Sequence, residues 1–458
     1  MPVIALAAAV LVVLLAVYPP LPVDLAIHDL QRMALTLVAA IALPMMVRPA
    51  RAGALVHVGA LLVAMVLALL ASPGWTGLAL TLSWVGLLAV ASAAYGAGAG
   101  AGASRPLAVP ALWGWAVLAM ALVYTVRTAA ALSAAVPQGV IDLSEIFLGF
   151  ANVRHFAQLM PMVMPLLAAG CLPPAAGAHG AGAHRAFRPL CAAALVAWWV
   201  LLWLNGSAGA FYAIVMGLAA TALMAGWQRS GRLLATMAVA GLAAMVLVQV
   251  LDAWAPVLGG VQKTAAVEDA GRLEIWRLSV SALAQQPWLG LGPGQYPLQV
   301  AVRPAHPHNA VLAFAADYGL PAAVLLIALL WRWFSPLRLT RRLRAMAVAD
   351  ARWPVALTAA AYGAFAHAQV SGVTVMPMAQ LLLAVTLGLL LAAVKAQDAA
   401  PCRRLRRPEM IMAGLLGMAL LGTVALSWRE SCPAAGAGKQ PCHQAPSFWS
   451  AQAIAKGP

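Results

Sequence analysis

Two histidines and five arginines are the side chains of this sequence best suited to do chemistry. His306 and His308 stand two residues apart in the run HPHN, with Asn309 next. Arg303 precedes them, Arg272 and Arg277 lie upstream, and Arg127 and Arg154 lie further back. A neutral imidazole, with an unperturbed pKa of about 6.5, takes a proton readily near neutral pH. At His308 it suits the role of general base toward an incoming hydroxyl. Guanidinium forks match phosphate oxygens two at a time, so the arginines suit a polyanion. Negative charge that builds on a departing pyrophosphate is what such groups stabilise. The plainer alternative is that these arginines cap helix ends or snorkel to headgroups, and that His308 is a polar loop residue beside a helix cap.

The elements that must position these residues are membrane spans. Of 458 residues, 64% are apolar and 9% are charged, against about half and about a quarter in soluble domains. The apolar residues gather in runs long enough to cross about 30 Å of hydrocarbon as helices. The candidates are Pro2–Val17, Met33–Val47, Ala54–Ala71, Trp75–Tyr95, Leu107–Tyr124, Phe156–Leu172, Leu190–Leu204, Gly209–Trp227, Leu233–Leu251, Pro321–Phe334, Val355–Ala368, Val373–Val394 and Met410–Ser427. Lipid offers no partner to a free backbone amide, so these runs must be helical. The expected fold is therefore an all-α polytopic membrane protein with about 12 to 13 transmembrane helices and one long loop carrying short amphipathic helices.

Lys and Arg set the orientation. With the N-terminus in the cytoplasm and the spans alternating, the heaviest basic clusters fall on the cytoplasmic side. They are Arg332, Arg338, Arg341, Arg342, Arg344 and Arg352, then Lys395, Arg403, Arg404, Arg406 and Arg407. These clusters account for most of the net charge of +15, so the basic balance reads as positive-inside topology and not as nucleic-acid binding. In this topology the chemical residues named above face the external side of the membrane. A polyanion held there is most naturally a lipid-linked pyrophosphate.

The chain divides into spans over 1–251, an external loop over 252–320, further spans over 321–427 and a short external tail over 428–458. The stretches Gly96–Gly102 and Pro173–Arg188 read as flexible connectors, with His179 and His184 idle in the second. Thr125–His155 reads as a second external loop. Cys432 and Cys442 in the tail are placed to form a disulfide. No CxxC pair occurs, and no metal or other cofactor is expected. Within the long loop, Gly271–Gln286 has helical periodicity, with Leu273, Trp276, Val280 and Leu283 on one face and Glu274, Arg277, Ser281 and Gln285 on the other. Pro287 stops that helix, and Gly290, Gly292 and Gly294 make a tight turn. A second short helix is expected from an Asn309 cap to Tyr318, ending at Gly319, with Pro321 opening the next span. At about 15 Å it is too short to cross the bilayer.

The stretches GRLEIWRLSVSALAQQPWLGLGPGQY and HPHNAVLAFAADYGLPA resemble the O-antigen ligase superfamily. The hallmark of that superfamily is a His, then Asn, Ser or Gln, nine residues and a Gly. His308, Asn309 and Gly319 match it at full spacing. The resemblance implies a glycosyltransferase that takes a glycan from undecaprenyl pyrophosphate. His308 corresponds to the proposed base, and Arg272 and Arg277 to arginines that contact the pyrophosphate. Arg154, Arg303, His306 and Asn309 join the expected substrate-binding set. His367 and Ser371 resemble the segment leading toward a late span, where a buried structural His is the first reading.

The sequence departs from its relatives in three places. Ala208, in NGSAGA, stands where many relatives carry an Arg. Asp317 stands where a Glu is common, to pair with an external Arg or face water. Ala322 replaces a Gly.

The acceptor separates the members of the superfamily. A ligase uses lipid A-core, an oligosaccharyltransferase a protein hydroxyl, and a polymerase another glycan repeat. The expected partners are the lipid-linked donor, lipid A-core or a protein acceptor, and membrane lipid. O-antigen ligation is the first reading, and protein O-glycosylation or O-antigen polymerisation the alternatives. A lipid or polysaccharide transporter is the alternative from another class. Its mark, ionisable residues deep in the spans, is nearly confined to His57.

Overall fold

The computed structural model describes residues 27–48, 52–100, 108–138, 146–147, 150, 153–173, 181–254, 271–300, 306–395 and 403–431. Helices account for nearly all of the structure. They are α1 (Ile27–Ala42), α2 (Ala52–Ala71), α3 (Trp75–Gly100), α4 (Ala108–Ala135), α5 (Val153–Ala157), α6 (Met160–Cys171), α7 (Ala181–Asn205), α8 (Ala208–Ala225), α9 (Trp227–Trp254) and α10 (Arg272–Gln285). After these come α11 (Tyr296–Gln299), α12 (Ala310–Phe334), α13 (Pro336–Ala345), α14 (Arg352–Ala368), α15 (Pro377–Lys395) and α16 (Arg407–Ser431). A two-residue antiparallel pairing, Val47 with Arg404 and Arg48 with Arg403, is the one sheet among the described residues.

Seven of these helices are long and apolar enough to cross a membrane, and three shorter apolar helices accompany them. The chain is an all-α, multi-pass membrane protein. The candidate span Pro2–Val17 lies outside the described residues, as do Arg303, Cys432, Cys442 and His179. Every other candidate span overlaps a helix, with Phe156–Leu172 divided between α5 and α6.

Three connectors are shorter than expected, the first because α3 continues to Gly100 through most of the Gly96–Gly102 stretch. The α4 helix runs on through Thr125 to Ala135, absorbing the start of the supposed loop Thr125–His155. The run TAAALSAA is rich in alanine, the best helix former, so nothing stops the helix where the hydrophobic run ends. In the same way α7 begins at Ala181, inside the stretch read as a flexible connector.

The core centres on α14, whose residues are buried along nearly its whole length. Helices α6, α8 and α15 pack around it. Small residues let the backbones meet: a Cβ on Gly217 of α8 would lie 2.4 Å from the Ala359 carbonyl oxygen of α14. Such close approach is how helices associate where lipid is as apolar as the side chains. The Trp198 ring fills the space between α7 and α4, and its Nε1 donates to the Ala121 carbonyl at 3.1 Å. Away from this core, α12 packs against α2 and α10.

One end of the bundle is tied by arginines. Arg229 donates to the carbonyls of Met346 and Arg344 at 2.7–3.0 Å, and Arg344 to those of Met224 and Leu223 at 3.1 and 3.0 Å. Arg342 donates to Val394 at 3.0 Å, and Arg352 to Leu172 at 2.7 Å. Arg338 donates to Arg332. Leu223, Met224, Val394 and Leu172 stand at helix C-termini, whose carbonyls have no partner within the helix. The arginines supply one, with charge of the sign that a C-terminus favours.

Candidate functional site

At the opposite end of α12 the polar groups are of another kind. The helix begins as expected, with Asn309 extended at φ −137° and its Oδ1 accepting from the Leu312 amide at 2.9 Å. The Asn309 Nδ2 reaches the Gln369 carbonyl at 3.3 Å, tying this helix start to the end of α14. Just before it, His308 holds φ 54°, the one non-glycine in the left-handed region among the described residues. That conformation costs an L-residue about 1–2 kcal/mol and persists only where the surroundings impose it.

Gly319 explains the far end of the His-Asn-x9-Gly spacing. Its φ is 84°, and a Cβ there would come 2.2 Å from the Trp288 carbonyl oxygen. No other residue meets both demands. The break makes α12 two helices, a short one from Ala310 to Tyr318 and the long span beyond it. The turn after α10 locks onto this break. The Leu291 amide donates to the Ala316 carbonyl at 2.7 Å, and the Leu320 amide to the Pro287 carbonyl at 2.8 Å. Asp317 is half-buried and forms no ion pair with an arginine among the described residues. Its Oδ1 accepts from the Gly294 amide at 3.2 Å, so this carboxylate serves the glycine turn.

The amphipathic helix α10 is present, and its apolar face is only partly covered by protein. Ile275, Ser279 and Leu283 are buried, whereas Leu273 is 75% and Val280 56% exposed. A helical period sorts residues by face but does not say which face meets protein. Ser279 can be buried because its hydroxyl donates to the Ile275 carbonyl and meets the Tyr296 hydroxyl, both at 2.6 Å. Trp276 donates from Nε1 to the Pro307 carbonyl at 2.9 Å. That bond clamps the His306–His308 segment onto α10.

His306 and His308 lie with ring centroids 4.2 Å apart, inclined by 57°. His306 is buried, and neither of its ring nitrogens has a hydrogen-bond partner. Burial pushes its pKa well below the ordinary imidazole value, and the neighbouring His308 and His155 add to this. It is therefore a neutral imidazole. Gln158, buried at the start of α6, donates from Nε2 to the Ser371 hydroxyl at 3.1 Å. His367, at the end of α14, is 2% exposed, and its Nδ1 has no partner. Arg272 lies within electrostatic reach of that ring, and a Cβ on Gly209 would lie 3.5 Å from its Nε2. Ala208, the position of the absent arginine, is therefore next to a residue that borders this cluster.

The other expected site residues lie further out. Arg154 is exposed on α5, beside the buried His155. The Arg277 side chain is 83% exposed, 4.0 Å from Glu274 Oε2 on the outward face of α10. His155, Gln158 and Ser371 were not singled out as binding residues in the sequence. They come from segments distant along the chain, and their only local signal is a polar residue next to a candidate span.

Beside the histidines an apolar cavity of about 170 Å³ opens between α2, α3, α12 and α15. Leu61, Met65, Trp84 and Phe314 are among its walls, and Gln369, Thr374 and Gln380 supply its polar groups. Gln380 is held by the buried Arg32 of α1, whose Nη1 donates to its Oε1 at 2.8 Å. Nη2 of the same arginine donates to the Val375 carbonyl at 2.6 Å. The site thus combines a polar, partly charged end with an apolar cavity reaching into the bundle.

No curated protein matches the chain. Residues 192–327, which run from within α7 through both clamped histidines and the Gly319 break, match the family model described as O-antigen ligase. Over that segment the chain is similar to the O-antigen ligase family.

Proposed function

We propose that the chain moves a glycan from undecaprenyl pyrophosphate to an acceptor hydroxyl at the periplasmic face of a bacterial inner membrane, with His308 as the base. The observation that carries this reading is a juxtaposition. The buried His306 and the half-buried His308 sit at the start of α12, Arg272 lies within electrostatic reach of the nearby His367, and an apolar cavity lined by Ala310, Val311 and Gln369 begins beside them. An amphiphile with an anionic head and a hydrocarbon tail has that same division.

In the reaction the acceptor oxygen attacks the anomeric carbon of the glycan. The proton leaves the hydroxyl for a ring nitrogen of His308. The bond from the anomeric carbon to the pyrophosphate oxygen breaks, and its electron pair departs with the undecaprenyl pyrophosphate. Arg272, with Arg154, Arg277 and Arg303, offsets the charge that appears there. The N-terminal amides of α12 add a favourable partial charge. Asn309 holds the helix start in place, so the base is presented on a fixed element.

Transfer from purified lipid-linked donor in membranes tests the reading. Loss of transfer in His308→Ala, with donor still bound, is the expected result, and normal transfer would sink it. Deleting the gene and observing whether lipopolysaccharide, a glycoprotein or a polysaccharide changes identifies the acceptor. Lipid A-core is the acceptor proposed first.

A further inference from the structure

We infer that His306 is the positioning residue for His308, holding the base through a wall built from Gln158, Ser371 and Gly372. The inference rests on the assignment of His308 as the base.

Four observations carry it. The two rings touch, with centroids 4.2 Å apart. The His306 ring is enclosed: it is 8% exposed, and a Cβ on Gly372 would reach within 2.8 Å of its Nε2 and 3.4 Å of its Cε1. The same Cβ would lie 3.5 Å from Gln158 Nε2, the atom that donates to Ser371 Oγ. The wall behind His306 is therefore an amide fixed by a hydroxyl. In front, the strap is held by the Trp276 bond to Pro307, and His308 is kept at φ 54°.

Neither nitrogen of His306 is hydrogen-bonded, so the ring contributes no bond to the fold. A buried polar group left in this state costs about 1–3 kcal/mol. A phenylalanine or leucine would fill the same space without that cost. An imidazole in this place makes sense as a neighbour of His308, where shape and a polar edge matter together. Because burial keeps His306 neutral, it does not compete with His308 for the proton of the acceptor hydroxyl.

Three variants test the idea in the full-length protein in membranes. His306→Phe preserves the buried volume and removes the polar edge. Its kcat is expected to fall about 10- to 100-fold, the scale set by a base displaced by about 1 Å. The KM for donor should stay within about twofold, and the acid limb of the pH–rate profile should be displaced from its normal position. His306→Gln restores a polar edge and should recover part of kcat. Gly372→Ala intrudes first on His306 and then on Gln158, and should lower kcat by several-fold per folded molecule.

Normal kcat and an unshifted pH profile in folded His306→Phe would overturn the inference. So would a loss that His306→Gln does not relieve and Gly372→Ala does not reproduce. If His306→Phe does not fold, Gly372→Ala alone decides. His308→Ala, run alongside, separates the two levels of the argument. Transfer that survives in His308→Ala removes the base assignment itself. Transfer lost there but normal in the His306 and Gly372 variants removes only the positioning role.

Discussion

The two ends of α12 hold polar side chains for opposite purposes. At its C-terminal end the described arginines are spent on structure. Arg229, Arg342, Arg344 and Arg352 each donate to backbone carbonyls of other segments. At its N-terminal end His306, His367 and Gln158 are buried with a nitrogen or oxygen that bonds to nothing. A charge that completes a helix end lowers the free energy of the fold. A buried polar group without a partner raises it and is retained where another role offsets the cost. Charge is densest at the end where the arginines serve the fold.

Several substitutions can break or sharpen this contrast. The largest effect is expected from His308→Ala, which should lower glycan transfer by about 10²–10⁴-fold, the usual range for a general base. Its melting temperature in detergent should scarcely move, and a large drop would make His308 a structural residue like the arginines. Next is Arg272→Ala. Loss of a charge-assisted contact of about 1.5–3 kcal/mol should weaken donor binding about 10- to 100-fold. Unchanged affinity there and in Arg277→Ala would remove the pyrophosphate clamp.

Gly319→Ala brings a Cβ into the Trp288 carbonyl at positive φ, and should destabilise the protein by about 1–3 kcal/mol. A thermal unfolding series reads this directly, and a normal melting temperature would mean that the break is not strained. At the basic end, Arg344→Met deprives two helix-terminal carbonyls of their donor. It should cost about 1 kcal/mol while transfer per folded molecule stays normal. Reduced transfer at full stability would show the two ends to be coupled.

The smallest effect concerns pH. The unfolded chain protonates His306 near the ordinary imidazole value of 6.5, whereas the folded chain resists until well below it. The stability due to neutral His306 is therefore fully present above about pH 6.5 and is lost as pH falls below it. Melting curves at pH 7.5 and 5.5 should show the decline, and His306→Phe should flatten it.

The sequence by itself determined the spans, because the length and composition of an apolar run decide whether it can cross a bilayer as a helix. It also determined the Asn309 cap and the Gly319 stop, because one side-chain acceptor and one missing Cβ suffice for those. Both are local properties. What lipid hides is the difference between an apolar face that meets protein and one that meets hydrocarbon. Hence Leu273 and Val280 of α10 turned outward, and Ser279 with Ile275 turned in.

The site needed the tertiary structure. Gln158 meets Ser371 across the chain, Arg32 meets Gln380, and His155 and Gly372 close around His306. Each pairing joins segments that the sequence separates by long spans, and only the packing of helices brings them together. The sequence could name the histidines. Only the fold decided that one of them is sealed, neutral and unbonded, because burial and the lack of a partner are properties of the surroundings and not of the residue.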